Sequence, residues 1–575
     1  MDYQQAYEKW LNSPQVDEKT KQELRLLEQD EAQKNYRFMK MLDFGTAGLR
    51  GILGAGLNMM NIYTVRYTTQ GLADLIRRCG GEQRGVCIAY DSRHMSTEFA
   101  REAACVLAAN GIKSFLFDEL RPTPELSFAL RELNCIAGIN ITASHNPKEY
   151  NGYKVYWEDG AQLPPDHAAQ ISARLKELDI FEDVQTCTFE EAKQAGWVTL
   201  LGKEMDERYL ECVLEQSVGS DAVRQCAEEF KVIFTPFHGA GYRLVPEVLR
   251  RLGMQHILTV PGQMVLDGDF PTVKSPNPED KAGFTEAIEM AKAQDVDLII
   301  GTDPDADRCG IVVRRQDGEY VTLSGNQVGV LLLDYLIRRR RELGILAPNS
   351  AVIKSIVTTN MAAAVCERQG ITLMDVLTGF KFIGEKIKEF EESGEYTYLF
   401  GFEESYGYLA GTYARDKDAV VAAMLICEMA CWYRLQGKTL YEAMQALYEV
   451  YGWYEEKVIS VAMRGLDGLQ KMKQIGASLR TSLPETLGGL QVLRVRDYLN
   501  GQITDLQSGQ QMPTGLPVSD VMFYELQGGS ALIIRPSGTE PKVKLYVMAC
   551  GADAEACAAV CRALEQAGKE LLGEV

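Results

Sequence analysis

At 575 residues the chain is too long for one hydrophobic core and is expected to divide into about four domains. Its 46% apolar and 24% charged content lies in the globular range, which excludes disorder on a large scale. A formal net charge of −20 excludes nucleic acid and acidic membranes as partners, because binding there rests on excess Lys and Arg. Any anionic small ligand must then find a locally basic cleft, for which Arg50, Lys154, Arg308, Lys381, Arg535 and Lys542 are candidates.

The chain opens Met1-Asp2-Tyr3-Gln4-Gln5 without a basic or apolar leader pattern, so secretion is not expected and its fourteen cysteines predict a reducing, cytoplasmic location. Cys427/Cys431 and Cys557/Cys561 are i, i+4 pairs in helical patterns and read as ordinary buried thiols. No apolar run approaches the roughly 18 residues of a membrane span.

Residues 1 to about 40 are charged and helix-prone, with one turn signal at Asn12-Ser13-Pro14, and a surface helical role is expected for them. Phe44-Gly45-Thr46-Ala47-Gly48-Leu49-Arg50-Gly51 follows. From Gly85 the chain alternates: Val86 to Ala89 reads as a strand, Asp91-Ser92-Arg93 as its polar exit, and Thr97 to Asn110 as a helix closed by Gly111. The apolar run Cys135 to Ile141 reads as a buried strand. It delivers Thr142-Ala143-Ser144-His145-Asn146-Pro147 at a carboxyl end, where open α/β sheets place their ligands.

The strand-loop-helix unit recurs at Lys231 to Leu252, where Leu244, Val248 and Leu252 share a helix face. It recurs where the helix with Phe284, Ile288 and Ala291 precedes Leu298-Ile299-Ile300, and a further copy starts at Val352-Ile353. This alternation predicts an α/β fold: three similar mixed α/β domains with largely parallel sheets. Ala531 to Ile534 and Val543 to Met548 instead read as strands joined by a tight turn, followed by one helix capped by Asp553, a smaller C-terminal α+β domain. The expected domains are 1–205, 206–322, 323–450 and 451–575.

Four polar loops leave apolar runs. A serine hydroxyl is a weak nucleophile at its own pKa, so Ser144 must be activated or arrive already phosphorylated; Ser-His by itself suits a turn-stabilising motif better than a nucleophile. Asp303, Asp305 and Asp307 alternate, and in extended backbone their carboxylates would fall on one side and converge on a cation such as Mg²⁺, a hard ion that takes oxygen ligands. An EF-hand is excluded, because Arg308 and Arg314 stand where Gly and Glu are needed. An aspartyl phosphatase also begins Asp-x-Asp, though Ala306 departs from it, and a solvated acidic turn is the plain alternative. Glu403-Glu404-Ser405 offers acceptors suited to sugar hydroxyls. Arg535, Ser537, Gly538 and Thr539 combine a bidentate cation, two hydroxyls and a glycine, which suits an oxyanion as well as an ordinary turn.

In this order, with domain-sized intervals between them, the four loops resemble those of the α-D-phosphohexomutase superfamily, most closely its phosphoglucomutase branch. The likeness runs from Phe44 to Lys542-Val543-Lys544. It implies four domains around a central active-site cleft and a catalytic set of Ser144, His145, Lys154, Arg50 and Arg308, with Ser144 phosphorylated at rest and Lys154 assisting proton transfer. Phosphoserine 144 with Asp303, Asp305 and Asp307 would hold Mg²⁺. Thr378, Gly379 and Lys381 would form a specificity loop, Glu403 and Ser405 would read the sugar ring, and Arg535, Ser537, Gly538 and Thr539 would take the phosphate that is not reacting. The implied reaction interconverts α-D-glucose 1-phosphate and glucose 6-phosphate, with glucose 1,6-bisphosphate as intermediate and activator. Phe380 stands where many glucomutases carry Trp, and the Phe44-Gly45-Thr46-Ala47-Gly48 variant resembles a branch that includes phosphopentomutases. Mannose or pentose phosphates are therefore alternative substrates, and a sugar phosphatase or a non-catalytic sugar-phosphate binder are the alternatives outside the mutases.

Overall fold

The computed structural model describes residues 2–45, 48–462, 468–536 and 542–573. The chain forms two compact units, one of residues 1–323, 383–393 and 406–439, the other of residues 324–382, 394–405 and 440–575.

The first unit is built on two sheets. In the six-stranded sheet Val86–Tyr90 lies between Ser114–Phe117 and Ala137–Ile141, parallel to both, and every residue of Val86–Tyr90 and Ala137–Ile141 is buried. Strands covered by helices on both faces need continuous apolar runs rather than alternation, which is why these segments read as they do. Tyr150–Trp157 then returns antiparallel to Ala137–Ile141, and Leu49–Ile52 adds antiparallel to it, with Arg50 opposite Gly152. Gly48 precedes that edge strand at φ +78°, and a Cβ there would lie 1.9 Å from the carbonyl oxygen of Tyr153, so only glycine fits. The five-stranded sheet pairs Lys231–Thr235 in parallel with Leu298–Thr302, whose other neighbour, Cys309–Arg314, is antiparallel.

Residues 1–40 correct the expectation of a surface role. Helices Tyr3–Asn12, Glu18–Leu26 and Glu31–Phe38 do form, but Tyr7, Trp10, Leu24 and Phe38 belong to the main core of this unit. Trp10 is 1% exposed and packs edge-on against Phe38, Tyr63 and Phe181. The charged majority covers the outer faces of these helices while a few aromatic residues carry the burial.

In the second unit Ser350–Ser355 pairs in parallel with Thr372–Val376 and with Thr397–Glu403. The rest is an eight-stranded antiparallel sheet that includes Trp453–Ala462, Lys542–Gly551, Ala531–Pro536 and Met522–Leu526. Helix Ala554–Leu571 covers it, capped as expected by Asp553, whose carboxylate accepts from the Ala556 amide at 2.8 Å. Cys557, Cys561 and Leu564 are its core residues. Among the described residues no helix is long and apolar enough to cross a membrane.

Candidate active site

Thr142 follows the buried strand Ala137–Ile141 and begins the serine loop. Its hydroxyl donates to Asp91 at 2.6 Å and accepts from the Ser144 amide at 2.8 Å. Ser144 itself is held at φ +52°, a left-handed conformation that costs a non-glycine residue on the order of 1 kcal/mol and persists only where the surroundings impose it. What imposes it is Arg93. Its guanidinium donates to the carbonyl oxygens of Ser144 (2.6 Å), Asn146, Pro147 (2.8 Å) and Tyr150 (3.0 Å), while its Nε lies 3.3 Å from Asp91. Asp91-Ser92-Arg93, expected only as a polar exit, is therefore the scaffold of the serine loop. The signal available was an Asp and an Arg directly after a wholly apolar strand, where charges are retained only if they are paired.

The three aspartates converge by a different route from the one expected. Residues 303–308 do not continue the strand as extended backbone. They form a tight turn with Ala306 at φ +49°, in which Oδ1 of Asp303 accepts from the amides of Asp307 (3.1 Å) and Arg308 (3.0 Å). The carboxylates of Asp303, Asp305 and Asp307 still gather within 4.8 Å of one another, all buried. Gly239 admits this turn, since a Cβ there would lie 2.4 Å from Cα of Pro304.

The two loops meet. Ser144 Oγ donates to Oδ2 of Asp303 at 2.8 Å, and Nδ1 of His145 lies 3.1 Å from the same hydroxyl. Lys154 contacts Oδ2 of Asp305 at 2.7 Å and Asp307 at 3.6 Å. Asp305 is fixed further by Thr123, whose hydroxyl donates to Oδ2 at 3.0 Å and whose amide donates to the Asp305 carbonyl at 2.8 Å. Lys417, which the sequence reading did not single out, reaches Oδ2 of Asp307 at 2.8 Å, and its neighbour Asp416 accepts from the hydroxyl of Tyr156 at 2.8 Å. Arg50 donates to Oδ1 of Asn146 at 2.9 Å at the rim of the serine loop, and Arg308 pairs with Glu279 at 2.9 Å.

These charges set one another's protonation. Burial, then the neighbouring Asp305 and Asp307, push Asp303 well above the carboxylate range. Burial acts the same way on Asp305, but Lys154 overrides it and holds that carboxylate below its ordinary value. Burial opposes the charge on Lys154, and Asp305 and Asp307 outweigh it, so the lysine stays an ammonium ion. Burial and the cations Arg308 and Arg50 depress His145 well below the usual histidine value, leaving a neutral imidazole at neutral pH.

The donor set fits a hard divalent cation. Oδ1 of Asp305 and Oδ1 of Asp307 are shielded from solvent and have no hydrogen-bond partner, and an unpaired buried carboxylate oxygen is costly unless something positive takes it up.

The second unit carries the remaining candidates. Oε1 of Glu403, at the end of strand Thr397–Glu403, accepts from the amide of Gly379 at 2.8 Å, so this glutamate shapes the loop of Thr378, Gly379 and Lys381. Glu404 accepts from Ser355 and Thr358, both at 3.3 Å, and Ser405 is partly buried beside it in sequence. Phe380 is 2% exposed and packs inside, while the ammonium of Lys381 lies 4.8 Å from the Phe382 ring centre. Arg535 stands near the end of strand Ala531–Pro536, opposite Lys544. The Tyr546 phenol is pushed up to about 12 by burial first and then by Glu404, with Arg535 opposing, which brings all three within electrostatic reach. Ser537, Gly538 and Thr539 lie outside the described residues.

A serine hydroxyl facing an acidic cage, flanked by ammonium and guanidinium groups on α/β sheets, is an arrangement suited to phosphoryl transfer. Four successive segments match the domains described as phosphoglucomutase/phosphomannomutase: alpha/beta/alpha domain I at 41–180, domain II at 207–318, domain III at 324–451 and the C-terminal domain at 498–566. A phosphoglucomutase of Staphylococcus epidermidis is 40% identical over 509 residues, covering 88% of this chain and 90% of its own. One of Staphylococcus aureus is 36% identical over 520 residues, covering 90% and 92%. The fold is shared with the open form of pp63/parafusin from Paramecium (TM-score 0.69, 18% identity, 93% of this chain and 95% of that one). It is shared too with a phosphoglucomutase/phosphomannomutase family protein from Burkholderia thailandensis (TM-score 0.66, 17% identity, 92% and 97%). The chain belongs to the phosphoglucomutase/phosphomannomutase family, within the α-D-phosphohexomutases.

Proposed function

We propose that the protein is a phosphoglucomutase, an isomerase that interconverts α-D-glucose 1-phosphate and glucose 6-phosphate through a phosphoserine enzyme and glucose 1,6-bisphosphate. The observation that carries this reading is the Ser144 hydroxyl, 2.8 Å from Asp303 inside a buried three-aspartate cage. Relatives named phosphoglucomutase at 36% and 40% identity support the sugar assignment.

Ser144 carries the phosphoryl group and gives it to O6 or O1 of the sugar. Asp303, Asp305 and Asp307 would hold Mg²⁺, which would supply neutralisation of phosphate oxygens and polarisation of phosphorus. Arg93 and Thr142 keep the serine loop in its left-handed turn, so Oγ arrives already aimed. Lys154, charged at neutral pH, serves as a hydrogen-bond donor and proton donor. His145, neutral and 3.1 Å from Oγ, is a hydrogen-bonding neighbour of the serine. Glu403 orders the Gly379 loop against which the sugar is read. Arg535, with Ser537, Gly538 and Thr539, takes the phosphate that is not reacting. Because one serine serves both ends of the sugar, that loop must accept whichever phosphate is distal.

Intact mass before and after exposure to glucose 1,6-bisphosphate tests this directly. A species one phosphoryl group heavier than the sequence mass, present before or after exposure and absent in Ser144→Ala, is expected, together with turnover of glucose 1-phosphate faster than of mannose 1-phosphate or ribose 1-phosphate. Absence of that species both before and after exposure would reject the phosphoenzyme, and preference for another sugar would move the protein to a neighbouring mutase activity.

A further inference from the structure

The serine loop falls in the segment matched as domain I and the aspartate turn in that matched as domain II, yet Ser144 Oγ and Oδ2 of Asp303 stand 2.8 Å apart. Asp267–Phe270, a segment outside the site described above, links the two. Phe270 is 2% exposed and belongs to the core cluster of Phe237, Val260, Phe284 and Ile299, the body from which the aspartate turn departs. Its ring also lies 5.1 Å from the guanidinium carbon of Arg93, the group that gathers the carbonyl oxygens of the serine loop. Gly268 presses on the residues around Arg93, since a Cβ there would lie 2.6 Å from the His94 amide nitrogen and 3.1 Å from the Ser92 carbonyl oxygen. Asp269 takes Lys148, just past the serine loop, at 3.1 Å and His94 at 3.4 Å.

We infer that Asp267–Phe270 is a latch: Phe270, Gly268 and Asp269 are positioning residues that act through Arg93 and Lys148 to hold the Ser144 loop in register with the aspartate turn. This rests on the reading of Ser144 as phosphoryl carrier. Its consequence is retention of the phosphoryl group. A loosened loop admits water, whose oxygen bonds to phosphorus as the phosphorus–Oγ bond breaks, returning the proton to Ser144 and releasing inorganic phosphate.

The test is phosphoenzyme lifetime, followed by intact mass in the absence of sugar, alongside kcat and KM for glucose 1-phosphate and the melting temperature. Phe270→Ala and Gly268→Ala are expected to shorten the lifetime by about tenfold or more and to lower kcat comparably, with KM within about twofold, because displacement of a reacting group by an ångström suffices for such losses. Phe270→Tyr, which keeps the ring, is expected to restore both. If Phe270→Ala does not fold, Gly268→Ala and the surface double variant Lys148→Ala/Asp269→Asn carry the same expectation. Folded variants with wild-type phosphoenzyme lifetime overturn the latch, as does a kcat loss that Phe270→Tyr shares in full. A wild-type enzyme that carries no phosphoryl group before or after exposure to glucose 1,6-bisphosphate would instead overturn the functional reading beneath it.

Discussion

Ser144 Oγ and Oδ2 of Asp303 are hydrogen-bonded at 2.8 Å although 159 residues separate them in the chain. The contact places the proposed nucleophile on the rim of the acidic cage before any substrate arrives, and it costs the loop a left-handed serine at φ +52°.

Ser144→Ala should abolish the phosphorylated species and lower turnover by about 10³-fold or more, as the loss of a covalent nucleophile generally does. The measurement is mutase turnover at saturating bisphosphate. Activity within about tenfold of wild type would remove Ser144 from the mechanism.

Mg²⁺ should raise the melting temperature of the wild-type protein, since a ligand at 100 times its dissociation constant stabilises the native state by about 2.7 kcal/mol. Asp303→Asn, Asp305→Asn and Asp307→Asn nearly preserve volume while removing charge, so each should fold and each should lose most of that increment along with activity. A melting temperature indifferent to Mg²⁺, or chelator-treated enzyme with full turnover, would contradict the metal assignment.

Arg535→Ala should lose about 2 to 4 kcal/mol of transition-state stabilisation in both reaction directions, by analogy with truncating a partly desolvated charge pair. The two directions are compared at saturating bisphosphate. An enzyme impaired with glucose 1-phosphate and normal with glucose 6-phosphate would confine Arg535 to one orientation of the sugar.

Glu456 provides a pH dependence unconnected with catalysis. Its side chain is partly buried on strand Trp453–Ala462, but Oε1 is shielded from solvent without a hydrogen-bond partner, and burial raises the carboxyl from 4.5 to about 7, with Thr359 and Asn326 opposing. The native state thus keeps a proton that the unfolded state releases. Its stability contribution is full below pH 4.5 and declines as pH rises through 7. Glu456→Gln should match wild type in acid and exceed it by about 1 to 3 kcal/mol at pH 8, in urea unfolding at the two pH values. A difference independent of pH would mean that Glu456 does not titrate in this range.

The order of strands and helices was legible in the sequence because strands buried on both faces must be largely apolar, as Val86–Tyr90 and, apart from Asn140, Ala137–Ile141 are. Ser144 and the three aspartates were legible for the same reason: each follows a run whose end is marked by the abrupt arrival of polar residues. Residues 1–40 misled, since a helix can be mostly charged and still bury Trp10 and Phe38, and composition averages over the two faces.

Tertiary structure alone decided how the groups meet. The aspartates converge by a turn that needs Ala306 at φ +49° and a glycine at 239, neither of which the spacing Asp-x-Asp-x-Asp encodes. Arg93, Thr123 and Lys417 come from distant segments and looked in sequence like any exposed polar residue. Their roles arise from burial, which strips water from an ionic group and leaves it stable only beside a partner. That partner is supplied by whichever strand or loop the fold brings there, and local pattern does not record which one.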